Sequence, residues 1–549
     1  MAEIKQQPMT QTPSSTSHNH KKIMQGAIVL SLAGVIVKIL SAIYRVPFQN
    51  LVGNTGFYVY QQVYPIYGVG MTFALSGFPV FLSHLIAQEK NVTKQKTVMQ
   101  KSFMILTGLG LLCFCGLFFG GESIALLMGD KGLTPVVHMV SWMFLLMPFL
   151  VVSRGYFQGN FQVMPTAISQ IMEQIVRISV ILLVAFIYSR GRLNLYNMGQ
   201  WAMFSATVAA LAASVVLYGY LKKDWQQHFG TNWLKEFFVF EKDSSISLKE
   251  LAYRFLTEGG TICLVSSMLV LFQLVDSFTA YKALVNGGVL PEVAKSLKGV
   301  YDRGQPLVQL GMVIGIGFTS SYLPMLAKSF ASQREILFRR EAKSLIKMTY
   351  ILALMATIGM MAILPRLNHV LFGDTSGNVI LAIYIVSILV ASMIMAHNGI
   401  LQSTSNYKIT LISLLVGIIL KIVFNKVLIA HFGLVGASLA TVGGLVAMYF
   451  VIFSLSSSYL QRIVKSVIIN YHIIGIALMV FSSVYMSDFF IQEVVPHGVT
   501  RLGDFVIVLV EVMIGAIVFV SLALYKQIFT TREWLMMPKG KEFLRYIKK

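Results

Sequence analysis

The 549-residue chain is short of charge. Asp, Glu, Lys and Arg supply only 12% of it, while hydrophobic residues supply 56%. Soluble globular proteins carry about twice that share of charge. A soluble fold of this length has too little interior to cover so much apolar surface, which excludes soluble enzymes, nucleic-acid-binding proteins and disordered regulators. Cysteine is scarce as well: Cys113, Cys115 and Cys263 lie in apolar stretches with no Cys-x-x-Cys pair. A disulfide framework and a zinc site are excluded, and the three read as small hydrophobic residues. No GxxxxGK[ST] run is present to bind a nucleotide. Neither a metal nor a cofactor is expected.

What the chain has in abundance is apolar runs long enough to cross about 30 Å of hydrocarbon. They predict an all-α integral membrane protein of about fourteen transmembrane helices: Ile23–Ile43, Gln62–Ile86, Met99–Gly120, Val136–Phe157, Val163–Tyr188, Trp201–Leu221, Tyr253–Ala280, Gly304–Ala327, Ile346–Leu367, Val379–Leu401, Tyr407–Ala430, Leu434–Ser457, Val464–Ser487 and Phe505–Tyr525. Helices 4 and 5, and 11 and 12, are joined so closely that each pair could merge. Residues 1–22 are rich in Gln, Thr, Ser and Pro and are expected to be a disordered tail. They are too polar for a signal peptide, so helix 1 is expected to remain in the membrane.

Basic residues test this helix count independently. With the N-terminus inside, 30 of the 44 Lys and Arg fall in the tails and even-numbered connections or within four residues of the helix ends beside them, against 11 for the odd-numbered ones. That is the positive-inside bias of a multi-pass membrane protein with both termini cytoplasmic. The formal charge of +21 is therefore a topological signal directed at anionic membrane lipids, with no nucleic acid implied.

Laid over itself at an offset of 244–245, the chain gives an ordered match. FPVFLSHLIAQ around Pro79 aligns with LPMLAKSFASQ around Pro324, and Arg177 aligns with Lys421. Two six-helix lobes related about the membrane normal, with a site between them, form a transporter arrangement. The divisions are an N-lobe at 23–221, a cytoplasmic linker at 222–252, a C-lobe at 253–458, two extra helices at 459–525 and a basic, interfacial cytoplasmic tail at 526–549.

Charge at membrane depth is costly and by default faces a cavity or a partner. Lys38, Arg177 and Lys421 stand 14 or 15 residues into helices 1, 5 and 11, in one layer roughly 21–23 Å from the inner boundary. Arg45 lies two turns beyond Lys38, and Arg303 opens helix 8 within YDRGQP. Bland alternatives exist for several of them. Glu173 and Arg177 have the i, i+4 spacing of an ion pair, and Arg45 and Lys421 could snorkel to the interface. Asp276 could bind a cation or pair with Lys282. Glu258, near the start of helix 7, suits the helix dipole. Tyr60, Tyr64 and Tyr67 form a stripe, read first as an interfacial aromatic belt and second as a sugar-stacking surface. Helix 1 carries lysine where a cation-coupled drug antiporter would want acid, so a cavity lined by Lys38, Arg45, Arg303, Arg177, Lys421, Asp276 and Tyr64 looks built for an anion.

VKILSAIYRVPFQNLVG in helix 1, QQVYPIYG in helix 2, YDRGQPLVQLG at helix 8 and the LPMLAKSF ending resemble the MurJ/SpoVB-like polysaccharide-transport branch of the MOP exporter superfamily. The resemblance implies the two-lobed fold and outward flipping of an undecaprenyl-pyrophosphate-linked cell-wall precursor such as lipid II, with Lys38, Arg303 and Arg45 as basic cavity residues. Lysine stands at position 38 where the family often has arginine, which keeps the charge and loses bidentate geometry. The cell-wall synthesis machinery is an expected partner. A drug antiporter, a membrane-embedded glycosyltransferase and a non-transporting scaffold are the rival expectations; the outer loops are short and poor in the acids a glycosyltransferase needs.

Overall fold

The computed structural model describes residues 33–230, 247–494 and 500–535, except Lys90 and Ser405, together with Lys235, Phe237, Val239 and Glu542. The N-terminal tail, the first ten residues of helix 1 and most of 231–246 and 536–549 lie outside the described residues. Among the described residues every regular element is helical. Eleven helices are long and apolar enough to cross a membrane, and Pro291–Val313 with Gly315–Ala331 makes a twelfth, bent by 44°.

Two of these are hairpins. Ala33–Gln88 and Tyr407–Leu455 would be roughly 84 and 74 Å long if straight, more than twice the hydrocarbon thickness. Each breaks at one glycine in a backbone conformation that side-chain-bearing residues avoid, Gly53 (φ 71°) and Gly433 (φ 55°). The chain then doubles back. Tyr44 and Tyr60 hydroxyls meet at 2.9 Å, and Lys421 Nζ reaches Thr441 Oγ1 at 2.5 Å. All fourteen predicted spans are thus accounted for, with helices 1 and 2 and helices 11 and 12 joined directly. Helices 4 and 5 stay distinct, separated at Asn160–Gln162.

At Gly436 a Cβ would fall on the Leu428 carbonyl across the second hairpin, whereas at helical Gly359 nothing lies within 4 Å. Gly436→Ala should therefore cost about 1–3 kcal/mol of stability, and Gly359→Ala should cost nothing or gain slightly. Thermal unfolding of the purified variants tests the pair. Equal melting temperatures would show that helices 11 and 12 do not pack this closely.

Several predicted boundaries move, for one reason: polar residues buried against other helices break the hydropathy signal without breaking the helix. Helix 2 starts directly after Gly53, not at Gln62, because Gln61 and Gln62 are buried and bonded to Gln305 and the Ser277 carbonyl. Helix 8 is preceded by Pro291–Asp302, whose Lys298 and Asp302 face inward. Helix 6 continues to Phe229, so the linker does not begin at residue 222. Helix 7 is assembled from Leu248–Arg254, a π turn at Phe255–Gly259, Gly260–Ser266 and Met268–Asn286. Glu258 is therefore in its third turn, paired with Arg254, and is not a dipole residue of the first turn. Helix 9 runs Glu335–Ala362, followed by the separate short helix Leu364–Phe372. The span assigned to helix 13 begins at Tyr471, after the amphipathic helix Ser458–Ile468.

The two halves meet through helix 2, which packs on Pro291–Asp302, on helix 7 and on the tip of Leu364–Phe372. At the other end of helix 2, Phe78 and Phe81 close on Phe255, the latter with ring centroids 4.9 Å apart. Beyond helix 14, the short helix Thr531–Leu535 docks on the protein. Trp534 is buried, and Glu533 bonds Lys347 at 2.9 Å and Ser344 at 2.9 Å, pinning the chain to helix 9.

Candidate functional site

Helix 1 turns one face to its own hairpin partner and a second, about 100° round, toward the other half of the molecule. Ala33, Val37, Ser41, Tyr44 and Phe48 form the first face and are buried; Ala42, Arg45 and Gln49 form the second and are buried too. Lys38 belongs to that second face yet is exposed, while Ile36 and Ile43 mark the opposite, outward side. The protein that closes around Arg45 thus leaves Lys38, two turns earlier, exposed. No carboxylate pairs with Lys38 among the described residues.

Arg45 is fully buried, and none of its three guanidinium nitrogens has an acceptor in hydrogen-bond geometry. Its neighbour is the Tyr64 ring, with the guanidinium carbon 4.3 Å from the centroid. Cation–π attraction offsets part of the desolvation of such a charge, but far from all of it. Snorkelling to the interface is therefore ruled out for Arg45.

Arg177 lies beside it. It donates to Ser41 Oγ at 3.1 Å and Gln174 Oε1 at 2.6 Å, and sits 5.0 and 4.9 Å from the Tyr44 and Tyr67 ring centroids. The expected ion pair with Glu173 is absent, because Glu173 points to Arg154, 2.6 Å away, which Ser169 and the Ala74 carbonyl also hold. The tyrosine stripe is not an interfacial belt either. Tyr60, Tyr64 and Tyr67 are all buried against the two arginines.

In the second half the repeat partner of Arg177 is compensated. Lys421 Nζ sits 2.7 Å from Asp276 Oδ1, and Asn425 donates to the same oxygen at 2.9 Å. Tyr301 donates to Asp276 Oδ2 at 2.8 Å. Asp276 therefore pairs with Lys421, not Lys282, and Lys421 is fully buried instead of snorkelling. Neither is a free group in this state.

Arg303 is likewise engaged. Its two terminal nitrogens grip both Asp374 oxygens at 2.7 Å, and it also donates to Asn54 Oδ1 at 2.7 Å and Asn368 Oδ1 at 3.2 Å. The result is a latch tying helix 8 to the helix 1–2 hairpin and to the connection before helix 10. Expected from sequence as an open anion ligand, Arg303 is neutralised here by a loop carboxylate that hydropathy analysis passes over. Burial pushes the Asp374 carboxyl up, but hydrogen bonds from Arg303 and Ser376 outweigh it and hold it at about 2. A depressed pKa contributes fully above the ordinary carboxylate value of about 3.9 and is lost as pH falls through about 2. Between neutral and mildly acid pH the latch should not respond to pH through Asp374. Asp374→Asn should loosen it, read as faster hydrogen exchange over residues 364–378. Unchanged exchange in that variant would show that the pair holds nothing closed.

The sequence search missed Gln61 and Gln305, which bond each other at 2.9 Å across the junction of the two halves. They are 244 residues apart, the repeat offset itself, so each meets its own counterpart where a two-fold pseudo-axis would pass. It also missed Lys298 and Asp302, a buried pair 2.6 Å apart. The second Asp302 oxygen has no hydrogen-bond partner and lies within electrostatic reach of Arg45. The site is thus two cations that no carboxylate hydrogen-bonds among the described residues, Arg45 and Arg177, with Lys38 open on the same helix and Asp302 of the facing half within electrostatic reach of Arg45.

Residues 23–330 match the sequence profile of a family described as polysaccharide biosynthesis protein. Over 530 residues the chain is 35% identical to the uncharacterized membrane protein YabM of Bacillus subtilis (strain 168), covering 96% of this chain and 97% of that one. It is 27% identical to the lipid II flippase MurJ of the same organism, over 78% and 81% of the two chains. Among solved structures, a lipid II flippase MurJ in an inward closed conformation superposes with a TM-score of 0.61 at 14% identity, covering 90% of this chain and 98% of that one. An inward-facing MATE family multidrug resistance transporter superposes at 0.59 and 14% identity, over 80% and 99%. Both likenesses establish the fold.

Proposed function

Because the chain belongs to the polysaccharide biosynthesis protein family, we propose that it is a flippase moving a polyprenyl-pyrophosphate-linked saccharide, lipid II or a related unit, from the inner to the outer leaflet of a plasma membrane. The observation that carries this is Arg45: a buried guanidinium that no carboxylate hydrogen-bonds, next to Arg177 and two turns beyond an open Lys38. A charge held this way is poorly satisfied in the resting protein and gains most when a dianionic diphosphate arrives. The relative named as a lipid II flippase supports the chemical class. The two lobes rock about this seam, with Arg303 released from Asp374 as the outer side opens. The saccharide travels with the diphosphate and the polyprenyl chain stays in the bilayer.

Outward movement of the diphosphate through an inside-negative potential supplies up to about 2.3 kcal/mol per charge per 100 mV, so no nucleotide is required. The matched MATE fold keeps drug export as the second reading. Vesicles reconstituted with the purified protein and either fluorescent lipid II or a cationic drug separate the two. Protein-dependent exposure of inner-leaflet lipid II to an external reagent supports flipping; cation efflux alone supports drug export.

A further inference from the structure

Helices 13 and 14 stand outside the repeat, yet they hold the densest buried charge cluster among the described residues. From the short helix Leu364–Phe372 come Arg366, fully buried, and His369. Helix 13 supplies Asp488, and helix 14 supplies Asp504 and Glu511. Arg366 Nε contacts Asp488 at 2.5 Å, and its Nη1 contacts Asp504 at 2.7 Å. His369 Nδ1 meets the other Asp504 oxygen at 2.7 Å. Both aspartates are thereby engaged with Arg366.

Glu511 is left over. It is fully buried, both of its oxygens lack a hydrogen-bond partner, and the nearest Arg366 nitrogen is 4.0 Å away. The residues that act on it electrostatically are Asp488, Arg366 and Asp504. The outer half of helix 9, Ile351 to Ala362, packs on helix 13 and brings no titratable group. Arg501, at the start of helix 14, is turned away to the Val370 and Leu371 carbonyls. Among the described residues, three carboxylates therefore meet one arginine and one histidine in an apolar bundle, and neither cation gives Glu511 a hydrogen bond. An ionised carboxylate without a donor is not sustained in such a place, whereas a carboxylic acid is.

We infer that Glu511, with Asp488 and Asp504 around Arg366, forms a reversible proton-binding site between helices 13 and 14, and that the short helix Leu364–Phe372 links its occupancy to the Arg303 latch. The linkage is physical. One side of that helix carries Arg366 and His369 into the cluster. Another carries Asn368 to Arg303 at 3.2 Å and sets the Phe372 ring 5.0 Å from the Arg303 guanidinium. Asn50, at the tip of the first hairpin, caps the Leu371 carbonyl at 3.0 Å. When the proton leaves, Glu511 becomes a third anion competing for Arg366. Drawing Arg366 toward it pulls the short helix from Arg303 and loosens the latch. Asp374 does not titrate near neutrality, so a latch response in that range reports on this cluster.

Two measurements on the full chain in lipid nanodiscs test this. The first is infrared absorption of protonated carboxyl groups at neutral pH. Wild type should show a band that shifts in deuterium oxide and that Glu511→Gln removes. No such band in wild type, or one that survives in both Glu511→Gln and Asp488→Asn, overturns the site. The second is hydrogen exchange over residues 364–378 on either side of neutral pH, corrected for intrinsic rates. Wild type should exchange several-fold faster on the alkaline side, and Glu511→Gln, which mimics the protonated form, should not change. Identical profiles for the two overturn the link to the latch. Neither readout requires transport, so the proton site stands or falls separately from the flippase proposal.

Discussion

Replacing Arg45 with leucine should abolish transport while raising thermal stability. The two effects have one origin. The guanidinium is buried without an acceptor in hydrogen-bond geometry and lies over the Tyr64 ring, so the folded protein carries a desolvated charge that a similarly sized apolar side chain would not. Exchanges of that kind at buried charges are often neutral to stabilising by about 1–4 kcal/mol. A bound diphosphate, by contrast, would lose a charge-assisted partner, which typically costs 2–5 kcal/mol, roughly 30-fold to several thousand-fold in affinity. Flipping rates and melting temperature of Arg45→Leu measure both. A structural arginine would behave in the opposite way, losing stability first and transport only in consequence.

Asp276→Ala should do what Arg45→Leu does not. Asp276 accepts from Lys421, Asn425 and Tyr301, and removing it leaves the Lys421 ammonium buried beside a hydroxyl and an amide alone. Breaking a buried pair from one side costs about 3–5 kcal/mol, a large part of the stability of most domains. The double variant Asp276→Leu with Lys421→Met should recover most of the loss, because no stranded charge remains. Thermal unfolding of the two single variants and the double one gives the coupling. If the double variant is as unstable as Asp276→Ala, the pair does not act as a unit.

The apolar runs made the all-α membrane fold and its span count readable in the sequence, because hydrocarbon thickness imposes a length that composition reveals. Span ends were less readable. Gln61, Gln62, Lys298 and Asp302 are polar but buried against other helices, so hydropathy places them outside the membrane while packing holds them within helices. At the site, the rarity of intramembrane cations singled out Arg45, Arg177, Arg303 and Lys421, all of which are buried. It could not say which have partners. Glu173 is four residues from Arg177 but bonds Arg154, and Arg303 is matched by Asp374, 71 residues further along the chain. Pairing between distant segments is fixed by packing, and spacing along one helix does not report it. The tyrosine stripe shows the same limit: a belt at the interface and a wall around an arginine have the same i, i+4, i+7 pattern.

The most direct test is protein-dependent flipping of fluorescent lipid II in vesicles, with wild type beside Lys38→Ala and Arg45→Leu, each confirmed folded by its melting curve. Wild type should flip lipid II faster when the vesicle interior matches an inside-negative cell, and both variants should fall to the protein-free rate. Normal flipping by both folded variants would contradict an anion seam built on these cations.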